Sequence, residues 1–308
     1  MPEPVVPVAL FVYARPHLLR RVLDTLRANE VPLLYVFSDG PRDAAAARNV
    51  DEVRSIIRAV DWCETRVTER DKNLGLGVSL RTGISHVLAH HTRVFVIEDD
   101  IVCIPGAYRY LCAALEHYAD DRRVMSVTGW THPRLRPPIP DDEPYFDGRF
   151  CCWGWGTWRR AWRGMRIPAK RLLWMSRVRG RDVNRYGTDL PATARDELQR
   201  NIWAVRFCML HILRRGLCLH PPYSLTNHIG FDAEATNARN VAVGDVGPLK
   251  PAAPEPDAWP EPYEHPAVSS RWQEAYGAPV SWSEIVRRHV RGVERRLRRG
   301  PRRLFGGR

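Results

Sequence analysis

Residues 93–100 read RVFVIEDD, an apolar run that ends in three consecutive acids, Glu98, Asp99 and Asp100. The run predicts a strand that is buried on both faces, as in a parallel sheet. Adjacent carboxylates at the end of such a strand repel one another and lose solvation unless a cation lies between them. A hard divalent ion, Mn²⁺ or Mg²⁺, relieves both effects and leaves positions open for substrate phosphates. The alternative interpretation is three solvated acids in an ordinary loop.

The residues before these acids alternate between predicted strands and predicted helices. Apolar runs predict strands at residues 5–12, 33–37, 65–68 and 93–97, and apolar residues at helical spacing predict helices at 18–26, 50–60 and 80–89. This alternation predicts an α/β fold with a mostly parallel, doubly wound sheet and helices on both faces. Ligands of such sheets bind at the carboxyl ends of the strands. Those ends carry Tyr13, Ala14 and Arg15, then Asp39, and then the three acids.

The second half of the chain has weaker patterns. We expect helices at residues 107–118 and 195–215, a strand at 124–128, an acidic Pro-rich loop at 133–144 and a Pro-rich connection at 248–282. Residues 283–299 then predict a basic amphipathic helix, and residues 287–308 carry most of the net charge of +12. Such a tail suits an anionic membrane surface, a nucleic acid or a helix packed on the body, and nucleic acid is the least favoured.

The cysteine pattern and the hydropathy of the sequence indicate the cellular compartment of the protein. The seven cysteines show no CxxC or Cys/His zinc spacing, which is typical of core thiols in a reducing compartment. No apolar stretch of about 18 residues is present, and the N-terminal residues do not read as a signal peptide. We therefore expect a cytoplasmic protein, with the tail as a means of peripheral attachment to the inner face of the cell membrane.

The acids and the residues after them resemble a known motif. A strand, then Glu98-Asp99-Asp100, a short apolar stretch, Pro105 and an aromatic-rich helix resemble the metal motif of GT-A glycosyltransferases such as the N-acetylglucosaminyltransferase I group. The resemblance implies that Asp100 is the direct metal ligand. It also implies that Glu98 and Asp99 contact the nucleotide ribose or metal-bound water.

Three more segments resemble bacterial members that assemble surface polysaccharides or glycolipids. They read NLGLG at 73–77, WGWGTW at 153–158 and NHIGFD at 227–232, and the match extends from about residue 8 to about residue 237. The resemblance implies a nucleotide half at residues 1–130 and an acceptor and catalytic half at 131–247 of one GT-A domain. The connection at 248–282 and the basic tail at 283–308 follow.

The resemblance also implies roles for residues outside the acidic motif. Tyr13, Ala14 and Arg15 would form the base and ribose pocket, Asp39 would bind the base, commonly uracil, and Asn73 and Gly75 would close over the nucleotide. Arg15 could also pair with phosphate, and a solvated side chain is the alternative. Locally, Asp39 is also consistent with plain turn chemistry. Gly154 and Trp155 would line the donor–acceptor cleft, where an indole can stack on a sugar ring. Core packing is the alternative for these tryptophans, and Trp158 and Trp162 are expected to be structural.

The catalytic base is left open by the sequence. An inverting transfer needs a carboxylate that deprotonates the acceptor hydroxyl. Relatives often carry Asp where this chain has Asn201, so the candidates are Asp196, Glu197 and Asp232. Relatives also often carry a metal-binding His where this chain has Asn237.

The resemblance implies a metal-dependent transferase that moves a hexose or N-acetylhexosamine from a nucleotide-diphosphate sugar, with uridine as the expected base, to a saccharide or lipid-linked acceptor. One alternative is a nucleotidyltransferase, but Ala14-Arg15-Pro16-His17 is not the Gly-rich loop that such an enzyme needs after its first strand. The other is a non-catalytic membrane- or nucleic-acid-binding protein on a transferase scaffold. Asn201 and Asn237 favour this second alternative. The intact acids and the intact WGWGTW segment at 153–158, here called the Trp string, oppose it.

Overall fold

A computed structural model describes residues 5–132, 135–230, 249–256 and 258–277. The strands are β1 (Val8–Val12), β2 (Leu33–Ser38), β3 (Glu64–Glu69), β4 (Arg93–Glu98), β5 (Ile101–Cys103), β6 (Val124–Thr128), β7 (Tyr145–Asp147), β8 (Trp155–Trp158), β9 (Leu217–His220) and β10 (Thr226–His228). The helices are α1 (Pro16–Ala28), α2 (Ala44–Arg58), α3 (Leu76–His90), α4 (Ala107–His117), α5 (Arg159–Trp162), α6 (Ala169–Val178), α7 (Asp189–Arg200), α8 (Ala204–Arg214) and α9 (Ala267–Tyr276).

Eight strands form one mostly parallel sheet in the order β3-β2-β1-β4-β8-β6-β9-β7. The first four strands are parallel to one another, as are β6 and β9. Two strands run the other way: β8, which lies between β4 and β6, and β7, which pairs with β9 at the edge. The predicted α/β fold with a mostly parallel sheet is confirmed.

Helices cover both faces of this sheet, because successive side chains of each strand point to opposite sides. On β1, Ala9 and Phe11 contact a core that also contains residues of α3, α6 and α8. Leu10 and Val12 contact a second core, with residues of α1, α2 and α4. The sheet is therefore doubly wound, as the four buried apolar runs of the sequence predict.

The predicted single helix at residues 195–215 is wrong, since two helices occupy this region. The first, α7, ends at Arg200, and the next residue, Asn201, has a left-handed backbone with φ of 50°. The second, α8, begins at Ala204. Asn tolerates the left-handed conformation better than most residues, so it ends a helix here without a glycine or proline.

The segment predicted as a Pro-rich connection contains helix α9. Its Val268 and Trp272 are almost fully buried, and the Trp272 indole N–H donates to Asp147 on β7. The basic tail at 283–308 lies outside the described residues, so its membrane contact stays a prediction. Within the described ranges, no helix has the length and apolar character needed to span a bilayer.

Candidate functional site

The three acids lie at the carboxyl edge of the sheet, where β4 ends beside β1. Phe11 of β1 pairs with Glu98 of β4, so the residues that follow both strands lie close together. Asp99 accepts a hydrogen bond of 3.0 Å from the Tyr13 backbone N–H. Asp99 and Asp100 are both buried.

Arg15 joins the two aspartates. One of its guanidinium nitrogens contacts Asp99, and the other lies 2.8 Å from Asp100 Oδ2. Burial alone would lower the pKa of Arg15, but the two carboxylates outweigh burial, and the pKa is raised. Arg15 is therefore a fixed positive charge at the edge of the sheet, with the planar donor geometry that suits carboxylates and phosphates.

Glu98 leaves this cluster short of positive charge. Burial raises its pKa to about 8, and the charges of Asp100 and Asp99 add to the effect while Arg15 opposes it. Among the residues that the structure describes, Arg15 is the one guanidinium that opposes the charge of these three acids. An additional cation would relieve the repulsion.

His228 completes the group, although no sequence pattern assigned it a role. The ribbon of β5 and β10 pairs His228 with Ile101, next to Asp100. The Ile229 N–H donates to the Asp100 carbonyl at 2.8 Å, and His228 Nε2 lies 3.3 Å from Asp100 Oδ2. In the sequence, the NHIGFD segment is the feature that could have pointed to His228. Its proximity to Asp100, however, depends on the pairing of β10 with β5.

Gly230 permits the close approach of this ribbon to the acids. A Cβ at this position would lie 2.7 Å from Asp100 Oδ2 and 2.8 Å from Arg15 Nη1. Any other residue would have to displace the ion pair between Arg15 and Asp100.

A divalent cation is the group that the sequence implies for this cluster. Among the described residues, no three His, Cys, Asp or Glu side chains are grouped as a complete metal site. However, Asp100 and His228 present an oxygen and a nitrogen at 3.3 Å from each other. One or two protein ligands are what Mg²⁺ commonly takes when substrate phosphates supply the rest. The residues therefore fit a cation whose coordination a bound phosphate completes.

Asp39 ends β2 and holds the loop at residues 73–77 in place. Its carboxylate accepts hydrogen bonds from the N–H groups of Leu74 at 3.0 Å and Gly75 at 2.9 Å. The Asn73 side chain donates to the Gly40 carbonyl at 2.9 Å. The loop that was expected to close over a nucleotide is thus fastened to the end of β2, and Asp39 is buried beneath it.

Asn201 lies on the other side of the same loop. Its side-chain N–H donates to the Leu74 carbonyl at 3.3 Å, and a Cβ at Gly75 would collide with its side-chain nitrogen. The end of α7 therefore touches the loop, which brings the second half of the chain to the carboxyl edge of the first.

The Trp string is mainly structural. Trp155 is fully buried and packs against Trp203, Phe150 and Phe207, so it presents no free face to a sugar in this structure. Its expected place in the donor–acceptor cleft is corrected to a place in the core. The indole of half-buried Trp153 is the one near the acids, 5.2 Å from the His228 ring centroid.

Gly154 permits a close approach between two parts of the chain. It has φ of +63°, and a Cβ there would lie 2.6 Å from Thr226 Cγ2. The Thr226 hydroxyl donates to the Trp153 carbonyl at 2.7 Å. The glycine therefore brings the Trp string against β10.

The three candidates for the base have different surroundings. Glu197 is buried, with one oxygen 2.5 Å from Arg206 and the other accepting from the Ala169 N–H at 2.8 Å. Both oxygens are thus occupied, and we correct Glu197 from a catalytic to a structural residue. Asp196 is exposed on α7. Asp232, like Asn237, lies outside the described residues.

Comparisons with known proteins give likenesses in fold only. No model of a known protein family matches the sequence, and neither does any curated protein. Mannosyltransferase PcManGT from Pyrobaculum calidifontis, solved in complex with GDP-Man and Mn²⁺, is 18% identical over 52% of this chain, with a TM-score of 0.32. The chain spans about half of that protein, 48% of its length. Apo UDP-glucose pyrophosphorylase is 9% identical over 71% of this chain and 91% of its own, with a TM-score of 0.40. At these values the comparisons assign no activity to the chain.

Proposed function

We propose that this protein is a glycosyltransferase that uses a nucleoside-diphosphate sugar. The observation that carries the proposal is the convergence of Arg15, Asp99, Asp100 and His228 at one edge of the sheet. The diphosphate of such a donor supplies the negative charge that a guanidinium and a cation can share.

The donor would bind along the carboxyl ends of β1, β2 and β4. Arg15 would contact the diphosphate, and Asp100 and His228 would hold Mn²⁺ or Mg²⁺. When bound, such a cation stabilises the charge that develops on the leaving diphosphate. The backbone at Tyr13 and Ala14 and the loop with Asn73 and Gly75 would surround the base and ribose, with uridine the first base to test.

The acceptor would be a saccharide or a lipid-linked sugar. Its hydroxyl needs a base, and the candidates are Asp196, which is exposed, and Asp232. A carboxylate in this role takes the proton of the acceptor hydroxyl, and direct attack of that oxygen on the sugar carbon inverts its configuration.

The loop after β1 favours a glycosyltransferase over a nucleotidyltransferase. Only Tyr13, Ala14 and Arg15 separate β1 from α1, which begins at Pro16. A Gly-rich loop that could wrap around a nucleoside triphosphate has no room there.

Calorimetric titration with nucleoside diphosphates, with and without Mn²⁺, tests the proposal. We expect Mn²⁺ to strengthen the binding of at least one of them, and Asp100→Ala to abolish that gain. Asp24→Ala removes an exposed acid of α1 and is the matched control. Absence of any Mn²⁺-dependent binding would rule out the proposed donor site.

Product analysis then separates the two classes of enzyme. A glycosyltransferase releases a nucleoside diphosphate from the sugar nucleotide, with slow hydrolysis even when no acceptor is present. A nucleotidyltransferase instead forms a nucleoside triphosphate when pyrophosphate is added. The second product without the first would overturn the proposal.

A further inference from the structure

Helix α6 presents an unusual face to solvent. Its Ala169, Leu172, Leu173 and Ser176 are buried, and the helix packs against α7 and α8. The opposite face consists of five exposed residues at helical spacing: Lys170, Arg171, Trp174, Arg177 and Val178. Trp174 is 63% exposed and Val178 is 66% exposed. We call these five residues the α6 surface.

Positive charge surrounds the two apolar side chains. Residues 163–181 contain seven cations and no acid: Arg163, Arg166, Lys170, Arg171, Arg177, Arg179 and Arg181. Arg181 donates to the Leu213 carbonyl, and within the described part of the chain none of the seven forms an ion pair. The charge of this region is therefore available to a partner.

The combination of residues defines the chemistry of that partner. Cations attract an anionic surface, and each basic residue near anionic lipids strengthens binding. Binding removes the exposed Trp and Val side chains from water, which is favourable, only where the partner has an apolar layer that they can enter. Trp favours the boundary between headgroups and acyl chains, while Lys and Arg extend their charged ends towards the headgroups.

We propose that the α6 surface docks on an anionic lipid membrane, with Trp174 and Val178 inserted among the headgroups. The body side of α6 is packed into the core, so the surface is a fixed platform and requires no refolding on contact. This proposal is independent of the donor site, and it concerns residues distinct from the basic tail.

Co-flotation of the full chain with vesicles tests the proposal. Vesicles of phosphatidylcholine with phosphatidylglycerol are compared with vesicles of phosphatidylcholine alone. The charge variant Lys170→Ala, Arg171→Ala, Arg177→Ala should lose binding to the anionic vesicles by about fivefold per residue, or on the order of 100-fold in total. The control variant Arg21→Ala, Arg27→Ala, Arg48→Ala removes the same charge from exposed positions of α1 and α2 and should bind much more like the unmodified protein.

The apolar pair separates a membrane from other anionic partners. Trp174→Ala with Val178→Ala should weaken vesicle binding but leave binding to heparin, a soluble polyanion, unchanged. All five side chains are exposed, so the variants should keep the melting temperature of the unmodified protein. If the apolar variant is less stable, Trp174→Gln alone repeats the measurement.

Two outcomes would overturn the proposal. If the charge variant loses no more binding than the control variant, the α6 surface does not contact the vesicle and the rest of the chain accounts for binding. If the apolar variant binds vesicles as well as the unmodified protein does, the partner is a polyanion such as a nucleic acid or an acidic protein.

Discussion

Glu197 and Asp196 are neighbours in sequence with opposite surroundings, and this difference predicts opposite effects of mutation. Glu197 forms a buried ion pair with Arg206, and the side chains of Arg206 and Glu197 are 6% and 2% exposed. Glu197→Ala would leave the Arg206 charge buried without its partner, so we expect the free energy of unfolding to fall by about 3–5 kcal/mol. Urea denaturation measures it.

Asp196→Ala is the matched control on the same helix. Its side chain is exposed, so the free energy of unfolding should change by less than about 0.5 kcal/mol. A loss of sugar transfer in this stable variant would support Asp196 as the base. Equal stability losses in the two variants would contradict the assigned structural role of Glu197.

Asp147 predicts a pH dependence of stability. Burial raises the pKa of its carboxyl from 3.8 to about 8, and nearby Glu264 adds to the effect. Between these values the folded protein holds a proton that the unfolded chain has lost, so stability falls as the pH rises. Asn does not titrate, so the free energy of unfolding of Asp147→Asn should fall less than that of the unmodified protein between pH 6.5 and pH 8. We expect the two falls to differ by about 1–2 kcal/mol.

The buried histidines do not contribute to the change in stability between pH 6.5 and pH 8. Burial lowers the pKa of His211 and of His220 to about 4, so both contribute stability that is lost only as the pH falls below 6.5. Denaturant unfolding at several pH values above 6.5 measures how the free energy of unfolding changes with pH. A constant difference in stability between the two proteins does not affect this slope. Parallel curves for the two proteins would show that Asp147 is already ionised in the folded state.

At the scale of elements, the contact between the Trp string and β10 predicts that mutations of Gly154 and Thr226 have non-additive effects on stability. Gly154→Ala places a Cβ 2.6 Å from Thr226 Cγ2, which costs about 1–3 kcal/mol from overpacking and about 1 kcal/mol from the left-handed backbone. Thr226→Ser removes that methyl and keeps the hydroxyl bond to Trp153. Gly154→Ala should therefore cost less when it is combined with Thr226→Ser, as a double-mutant cycle of unfolding measures. An equal cost with and without Thr226→Ser would contradict the close contact.

The same elements mark where sequence patterns succeed and where they fail. The strands β1, β2 and β4 could be predicted because their apolar runs are typical of strands buried on both faces and alternate with helical patterns. The strands β7 and β10 have three residues each, too few for a periodic signal. The helix break at Asn201 was missed because the break depends on a left-handed Asn, whereas helix stops are usually read from Gly or Pro.

The candidate site was predicted in part for a related reason. Arg15, Asp99 and Asp100 follow buried strands, so their shared edge could be deduced from strand order. His228 reaches Asp100 through the pairing of β5 with β10, which is a tertiary contact. Trp155 was assigned to the cleft from its motif, but its burial depends on Trp203 and Phe207 of a distant segment.

At the scale of the whole molecule, the sheet connects the two halves of the chain by interleaving. Strand β8 lies between β4 and β6 and pairs with both, although four elements separate it from β4 in sequence and β7 separates it from β6. Asn201 and His228 likewise reach the edge that the first half builds. Strands from the first and the second half of the chain are thus parts of one sheet.

This interleaving predicts that residues 1–130 do not fold alone. Without β8, the buried side chains of β4 and β6 lose their partner strand, and Phe95 and Val127 would be exposed together with two unpaired strand edges. We expect the fragment to show little amide dispersion in NMR spectra and no cooperative unfolding, whereas residues 1–277 unfold in one transition. A dispersed spectrum with a sharp transition for the fragment would mean that β3-β2-β1-β4 is an independent unit, and that β8 adds to a core which is already complete.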